Sequence, residues 1–341
     1  MQSHLGGFNE HINDFILLLK PLKYKIFGLE IKDLFPLNML KDLLIFIKNN
    51  LFTDISSLLL KKPVFEGVSQ QELAEQLEAK KKCQNKLPTW FNTALIYYPK
   101  KLNIEQTSSE ATAAYKANLV AGKSLIDLTG GFGIDCYFFS KKIAHITHCE
   151  LNENLSEIAQ YNFEVLGAKN IRTIAQNGID FLTETNQFFD WIYIDPSRRS
   201  DVKGKVFLLN DCLPNVPEHL ALLFEKTDHV LIKTSPLLDI ANGIKELEFV
   251  KEIHVVAVNN EAKELLFVLE KGYTGHISIR TADIRKTITN TFNFILNQQR
   301  DPSYGEPKHF LYEPNAAIMK SGGFNEVANH FKVEKLHPNT H

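Results

Sequence analysis

The stretch SLIDLTGGFGID (Ser124–Asp135) decides the fold, because a short apolar strand runs into a glycine-rich turn and then a helix. Glycine lets the backbone turn sharply and approach a ligand closely, while the first N–H groups of the helix can bind it. The nicotinamide pattern G-x-G-x-x-G fails, since Cys136 follows Gly131 and Gly133 at the third glycine position. The loop therefore predicts a ligand-binding turn of another class; the alternative is a plain strand-to-helix turn.

Around this loop, apolar and β-branched runs alternate with helical stretches, of which residues 152–167 are the plainest. The runs lie at residues 124–128, 145–151, 171–175, 191–195, 229–233, 253–259 and 264–270. Alternation of this kind predicts an α/β fold with a parallel sheet covered by helices on both faces. Only residues 260–263 separate the last two strands, so we expect an antiparallel hairpin at a sheet edge. Six parallel strands and an antiparallel seventh resemble the Rossmann-like sheet of class I methyltransferases.

The composition excludes several classes of protein. With 341 residues, a net charge of −2 and a pI of about 6.6, the chain has no overall positive field, so nucleic acid would need a local patch. Four scattered cysteines and histidines without metal-ligand spacing predict reduced thiols, a cytoplasmic protein and no metal site. No apolar run reaches the ~18 residues of a membrane span.

Polar residues follow the first three strands at positions that suit a nucleoside ligand. Asp127 ends the first strand, and Glu150 ends the second, where an acid can accept both ribose hydroxyls. Asn177 follows the third strand, where an amide can hydrogen-bond an adenine amino group. This spacing favours S-adenosyl-L-methionine as the cofactor. The expected cofactor-binding residues are Ser108, Asp127, Thr129, Gly131, Gly133, Glu150, Leu151, Asn177 and Gly178.

Ser108 is included because, with Glu110, it opens a helix before the first strand. Backbone amides at that helix N-terminus suit the carboxylate of the cofactor's methionine end. An ordinary capped helix explains the same residues equally well.

The stretch WIYIDPSRR (191–199) places Asp195 and Pro196 after the fourth strand. In amino-methyltransferases, an acid or amide before Pro-Pro-aromatic holds the target amine, and the aromatic ring stacks on the base. Here Ser197 replaces the second proline and Arg198 the aromatic residue, and arginine can stack on a base or bind phosphate. We therefore expect catalytic roles for Asp195, Pro196, Ser197 and Arg198, and substrate binding by Arg199 and Lys233. The arginines could instead be a solvated loop pair, and Lys233 could simply cover the sheet edge.

Residues 86–135, 148–162, 190–199 and 311–324 together resemble a bacterial family common in the Bacteroidetes. This is a class I S-adenosylmethionine-dependent methyltransferase family with a THUMP-like C-terminal region, and the resemblance covers about residues 39–341. The order of motifs is also distantly similar to trimethylguanosine synthase. The resemblance implies a helical N-terminal part, a methyltransferase core, a small ferredoxin-like insert and a THUMP-like end, a type of module associated with RNA.

We thus expect a helical region at residues 1–90, a methyltransferase domain at 91–272 and a small THUMP-like region at 273–341, cut short at His341. Residues 1–38 are interpreted as an extension, with Met39 as the natural start. The expected function is methylation of a base nitrogen in tRNA or rRNA, with no indication of DNA or a membrane as partner. A small-molecule or protein methyltransferase, or an RNA-binding module that binds the cofactor without turnover, remain alternatives.

Overall fold

The computed structural model describes residues 25–26, 29–30, 42–43, 45–66, 68–198, 207–298 and 301–340. Two compact units share the chain: residues 1–113 with 130–176 form the first, and residues 114–129 with 177–341 form the second. Most of the predicted extension 1–38, the proposed start at Met39 and the predicted substrate residue Arg199 lie outside the described residues. The predicted domain boundaries remain a prediction.

The elements alternate as expected from the sequence. The helices are α1 (Ile55–Leu59), α2 (Gln70–Lys86), α3 (Pro88–Asn92), α4 (Lys101–Gln106), α5 (Glu110–Ala117), α6 (Ile134–Phe139), α7 (Glu153–Val165), α8 (Gly178–Glu184), α9 (Val216–Lys226), α10 (Ile240–Glu246), α11 (Ala316–Ser321) and α12 (Phe324–Phe331). The strands are β1 (Lys25–Ile26), β2 (Leu29–Glu30), β3 (Ser124–Asp127), β4 (His145–Cys149), β5 (Ile171–Ile174), β6 (Trp191–Ile194), β7 (Ser197–Arg198), β8 (Cys212–Leu213), β9 (His229–Thr234), β10 (Val250–Val258), β11 (Glu261–Glu270), β12 (Ser278–Ile284) and β13 (Thr289–Ile295). Each of the seven predicted strands is confirmed, as are the helices α6 to α10 that connect them.

In the second unit, the strands are hydrogen-bonded in the order β13-β12-β10-β11-β9-β6-β3. Strand β6 runs parallel to both β3 and β9, so their carboxyl ends meet at one edge. All four residues of β6 are buried, which explains its continuous apolar sequence. The α/β fold class is therefore confirmed, and the polar residues that follow β3 and β6 lie at this common edge.

Strands β10 and β11 form the predicted antiparallel hairpin, but its expected place at a sheet edge is wrong. Strand β11 lies between β9 and β10, and β10 pairs on its other side with the parallel strand β12. The sequence pattern around residues 283–298 favours an amphipathic helix, but this expectation is wrong, because β13 pairs antiparallel with β12 there. Phe292 and Phe294 alternate with the exposed Asn293, which is the two-residue period of a strand rather than the period of a helix.

In the first unit, β4 and β5 pair in parallel. Helix α2 confirms the sequence pattern of residues 68–82, which is typical of a helix capped by Ser69. The Ser69 side chain accepts a hydrogen bond from the Glu72 N–H. Apolar residues of α2 pack into two clusters, which contain the buried Leu77 and Cys83 respectively. This packing anchors the helical N-terminal part of the first unit.

Candidate active site

Thr129 links the ends of strands β3 and β6 in the second unit. Its hydroxyl donates to Oδ1 of the buried Asp127 at 3.2 Å and accepts the backbone N–H of Asp195 at 2.7 Å. The Thr129 N–H also donates to Asp127 Oδ1 at 2.9 Å. These bonds fix the backbone at Asp195, directly after the strand, and make Thr129 a structural link that its sequence position alone did not reveal.

Lys233, in β9, forms an ion pair with Asp195: Nζ lies 2.6 Å from Oδ2. The side chains are 14% and 28% exposed, so the pair is largely shielded yet within reach of a ligand. An ammonium this close stabilises the carboxylate anion, which accepts hydrogen bonds rather than supplying a proton. The structure thus brings together Asp195 and Lys233, whose pairing the sequence analysis did not anticipate.

The residues after Asp195 form a short ladder. Pro196 is buried and Ser197 is exposed. Strand β7 pairs antiparallel with β8, so Arg198 lies opposite Cys212. The Arg198 guanidinium carbon lies 5.6 Å from the centre of the Phe207 ring, which is within the range of a cation–π contact. Phe207 was not identified from the sequence, since it lies nine positions further on with no motif around it.

Asn177 and Gly178 begin helix α8. The Asn177 side-chain oxygen accepts the N–H groups of Ile179 and Asp180, so the side chain is the helix cap. What this amide can offer a ligand is therefore its NH₂ group, a donor, instead of the expected acceptor for an adenine amino group. A Cβ at Gly178 would lie 2.4 Å from the carbonyl oxygen of Leu128, so glycine is required for close packing here.

In the first unit, the backbone of Gly131 contacts two side chains: His148, which lies in β4, and Glu150, which directly follows it. Glu150 Oε2 accepts the Gly131 N–H at 2.8 Å, and Oε1 accepts the Asn152 N–H at 2.8 Å. His148 Nε2 lies 3.3 Å from the Gly131 carbonyl oxygen. Gly131 has a φ of 54° and Gly133 a φ of 84°, a left-handed backbone that suits glycine.

Glu150 is therefore positioned by the loop itself, and a carboxylate has about four acceptor sites, so it can still accept hydroxyl groups. The neighbouring Leu151 is 72% exposed. A carboxylate with acceptor capacity beside a glycine turn is compatible with the expected nucleoside ligand.

Ser108 is buried and donates to Asp135 Oδ2 at 2.8 Å. The hydroxyl proton is thereby used, and an acid lies beside it, so this side chain does not offer a donor to a ligand carboxylate. The residue that caps helix α5 is Ser109, whose hydroxyl accepts the Thr112 N–H. Asp135 was not selected from the sequence, although its position at the start of α6 places it next to the glycine loop.

No helix in the described part of the chain is long and apolar enough to cross a membrane. No group of three or more His, Cys, Asp or Glu side chains in the described ranges could hold a metal ion.

The fold is similar to that of a candidate methyltransferase from Porphyromonas gingivalis W83, with a TM-score of 0.78 and 27% sequence identity. That match covers 89% of this chain and 77% of the solved chain. A solved structure of Mycoplasma capricolum TrmK with S-adenosyl-homocysteine is 15% identical and covers 48% of this chain and 68% of that chain. The TM-score of that comparison is 0.37.

In sequence, 77 residues are 31% identical to an uncharacterized RNA methyltransferase of Mycoplasma mobile, which is 23% of this chain. The matched part spans only 21% of that curated relative. Residues 310–341 match a family described as a ferredoxin-like domain. The chain is thus similar over most of its length to one solved candidate methyltransferase, and the matched C-terminal residues are ferredoxin-like.

Proposed function

We propose that this chain is an S-adenosyl-L-methionine-dependent methyltransferase that modifies a base nitrogen in tRNA or rRNA. The observation that carries the proposal is Asp195, held after a central strand by Thr129 and paired with Lys233. The likeness to the Porphyromonas gingivalis candidate methyltransferase supports the reaction class. The partial match to an RNA methyltransferase of Mycoplasma mobile supports RNA as the substrate.

The proposed cofactor-binding residues include Glu150 and the glycine loop. Both carboxylate oxygens of Glu150 accept backbone N–H groups, so the orientation of this side chain is fixed. When bound, S-adenosyl-L-methionine supplies an electrophilic methyl group on a sulfonium. Glu150 would accept the two ribose hydroxyls, and the NH₂ group of Asn177 would donate to an adenine ring nitrogen.

Asp195 would accept an N–H of the target base amine. An exocyclic amine is a weak nucleophile because its lone pair is delocalised into the ring, and an acceptor on its N–H holds it in position for in-line attack. The lone pair would form the new N–CH₃ bond as the S–CH₃ bond of the sulfonium breaks and its electron pair returns to sulfur, which leaves as a neutral thioether. The nitrogen would afterwards lose one N–H proton. Since Lys233 stabilises the Asp195 anion, we assign Asp195 to orientation and assign the final proton to solvent.

Arg198 would cover the target base. Its guanidinium already lies over Phe207, and the opposite face of a planar guanidinium can stack on a nucleobase. This arrangement replaces the aromatic residue that follows Pro-Pro in other amino-methyltransferases. It also leaves Ser197, which is exposed, beside the substrate rather than in the packed interior.

The test is mass spectrometry of nucleosides from tRNA and rRNA of a strain that lacks the gene. We expect one methylated nucleoside to disappear and to return with the wild-type gene but not with Asp195→Ala. An unchanged nucleoside profile would contradict an RNA substrate. Calorimetry of the purified chain with S-adenosyl-L-methionine checks the cofactor separately, and absence of binding would contradict the reaction class.

A further inference from the structure

The first unit contains a cavity of about 250 Å³ between the helical residues 45–49, helix α2 and the segment 91–98. Its wall is mostly aliphatic and aromatic, and Leu95 and Ile96 are typical of it. Two lysines, Lys48 and Lys80, also line it. Among the described residues of the wall there is no aspartate or glutamate, and the charged ones are these two lysines.

Lys80 is held in a defined position at this wall. Its Nζ donates to the Phe91 carbonyl oxygen at 2.9 Å and to the Tyr98 hydroxyl at 3.4 Å. The centres of the Phe91 and Tyr98 rings lie 5.2 and 5.5 Å from Nζ. Because the Tyr98 hydroxyl itself donates to the Trp90 carbonyl oxygen, its oxygen is directed to accept from Lys80. The ammonium therefore has neutral partners and aromatic faces around it.

Burial of Lys80 lowers its pKa to about 8, and the positive charge of Lys48 also acts to lower it. Burial raises the pKa of Cys83 to about 12, so this thiol is neutral and offers no counter-charge at pH 7. An ammonium that is partly withdrawn from water without a carboxylate is unfavourable. An anion in the cavity would relieve that cost.

We propose that this cavity binds a small organic monocarboxylate, whose carboxylate pairs with Lys80 and whose apolar body fills the cavity. A dry cavity of about 150 Å³ is large enough for benzene, so 250 Å³ accommodates a six-membered ring and a carboxylate. The aliphatic and aromatic wall selects against inorganic anions, and the lysines select against amines. The site is independent of the proposed methyl transfer.

The first test compares probes on the full wild-type chain at pH 7 by calorimetry. Benzoate carries both required features, benzyl alcohol lacks the charge, benzylamine reverses it and phosphate lacks the apolar body. We expect a benzoate Kd on the order of 1 mM and at least about tenfold weaker binding of the other three. Equal binding of benzyl alcohol would overturn the role of the lysine. No saturable binding of benzoate at about ten times that concentration would overturn the site.

The second test changes Lys80. Loss of one charge-assisted hydrogen bond predicts at least about tenfold weaker benzoate binding in Lys80→Met, while Lys80→Arg stays within a few-fold of wild type. Lys82→Met is the matched control, since Lys82 lies on the same helix and pairs outward with Glu105. If Lys80→Met does not fold, two other results still test whether Lys80 binds the carboxylate. These are the comparison of benzoate with benzyl alcohol on wild type and the benzoate affinity of Lys80→Arg. Unaltered affinity in a folded Lys80→Met overturns the proposal.

The pH dependence gives a third readout. Among the described residues, Lys48, Cys83 and Tyr98 are the charged or titratable groups that face Lys80. Burial raises the pKa of Tyr98 well above its ordinary value. Benzoate affinity should therefore fall as Lys80 loses its proton above about pH 8. Lys48→Met should keep this fall, and a flat profile from pH 7 to 9 would contradict pairing with Lys80.

Discussion

Lys233 Nζ lies 2.6 Å from Asp195 Oδ2, which joins the ends of the parallel strands β9 and β6 through one ion pair. If Asp195 orients the target amine, this pair sets the direction of the carboxylate. The pairing also gives a reason for a lysine near the end of β9, directly after the buried residues Val230, Leu231 and Ile232. Lys233 extends from this strand to the end of the neighbouring strand β6.

Lys233→Met should lower kcat by about 10²-fold, because a displacement of about 1 Å at the reacting group costs that much. The Kd of S-adenosyl-L-methionine should change by less than about threefold, since the pair does not include the proposed ribose contact. Single-turnover kinetics and calorimetry measure the two effects. The control is Lys245→Met, an exposed lysine on α10. An unchanged kcat in Lys233→Met would mean that Asp195 keeps its orientation without the ion pair.

Thr129→Val should destabilise the protein by about 1–3 kcal/mol, because the Asp195 N–H and the Asp127 carboxylate each lose a partner near the buried strand ends. Valine has nearly the same shape as threonine, so the change isolates the hydroxyl. Thr129→Ser keeps that hydroxyl and should remain close to wild type. Urea unfolding of the three proteins checks this, and equal stability of the valine and serine variants would show that the link is not stabilising.

Glu150→Gln should weaken S-adenosyl-L-methionine binding by about 10- to 100-fold, because hydrogen bonds to a charged acceptor contribute about 1.5–3 kcal/mol. The amide oxygen can still accept from Gly131 or Asn152, so the fold is retained. Glu153→Gln is the matched control, three residues later and exposed. Calorimetry with equal Kd values for the two variants would argue against Glu150 as the ribose acceptor.

Lys116 and Glu264 form a fully shielded ion pair of 2.6 Å in the second unit, with 0% and 4% exposure. Lys116→Met alone should cost about 3–5 kcal/mol, because it leaves the buried carboxylate without this cation. The double variant Lys116→Met, Glu264→Leu should recover much of the loss, since no buried charge remains. Urea unfolding of wild type and both variants measures the free energies of unfolding that this prediction compares. Additive losses in the double variant would contradict a direct coupling of the two charges.

The strand and helix pattern was predictable because buried parallel strands are continuous apolar runs and the connecting helices are amphipathic. The extension of the sheet by β12 and β13 was not. Thr289, Thr291 and Phe292 fit a strand, but the short polar run also fits one face of a helix, and only pairing with β12 decides between them. Competition of this kind between local pattern and tertiary pairing is general for edge strands.

Residues of the candidate site that directly follow a strand could be predicted from the sequence. Contacts between segments that are distant in the sequence could not. Asp195 and Glu150 follow their strands at recognisable positions. The partners Lys233 and Phe207 lie 38 and 9 positions from Asp195 and Arg198, with no spacing rule that connects them. Ser108 was selected from the sequence because it lies at the start of a helix. The sequence did not indicate that its hydroxyl donates to Asp135, 27 positions further on.

His148 should make the stability of the protein fall in mild acid. Burial lowers its pKa from the ordinary 6.5 to about 4, so the folded state keeps the ring neutral while the unfolded chain takes up a proton below about pH 6.5. The contribution is complete above pH 6.5 and is lost as the pH falls towards 4, by up to about 3 kcal/mol. Urea unfolding between pH 7 and 4 should show a shallower fall in His148→Asn than in wild type. His276→Asn, at an exposed histidine, should keep the wild-type slope. Equal slopes in wild type and His148→Asn would show that other groups cause the acid sensitivity.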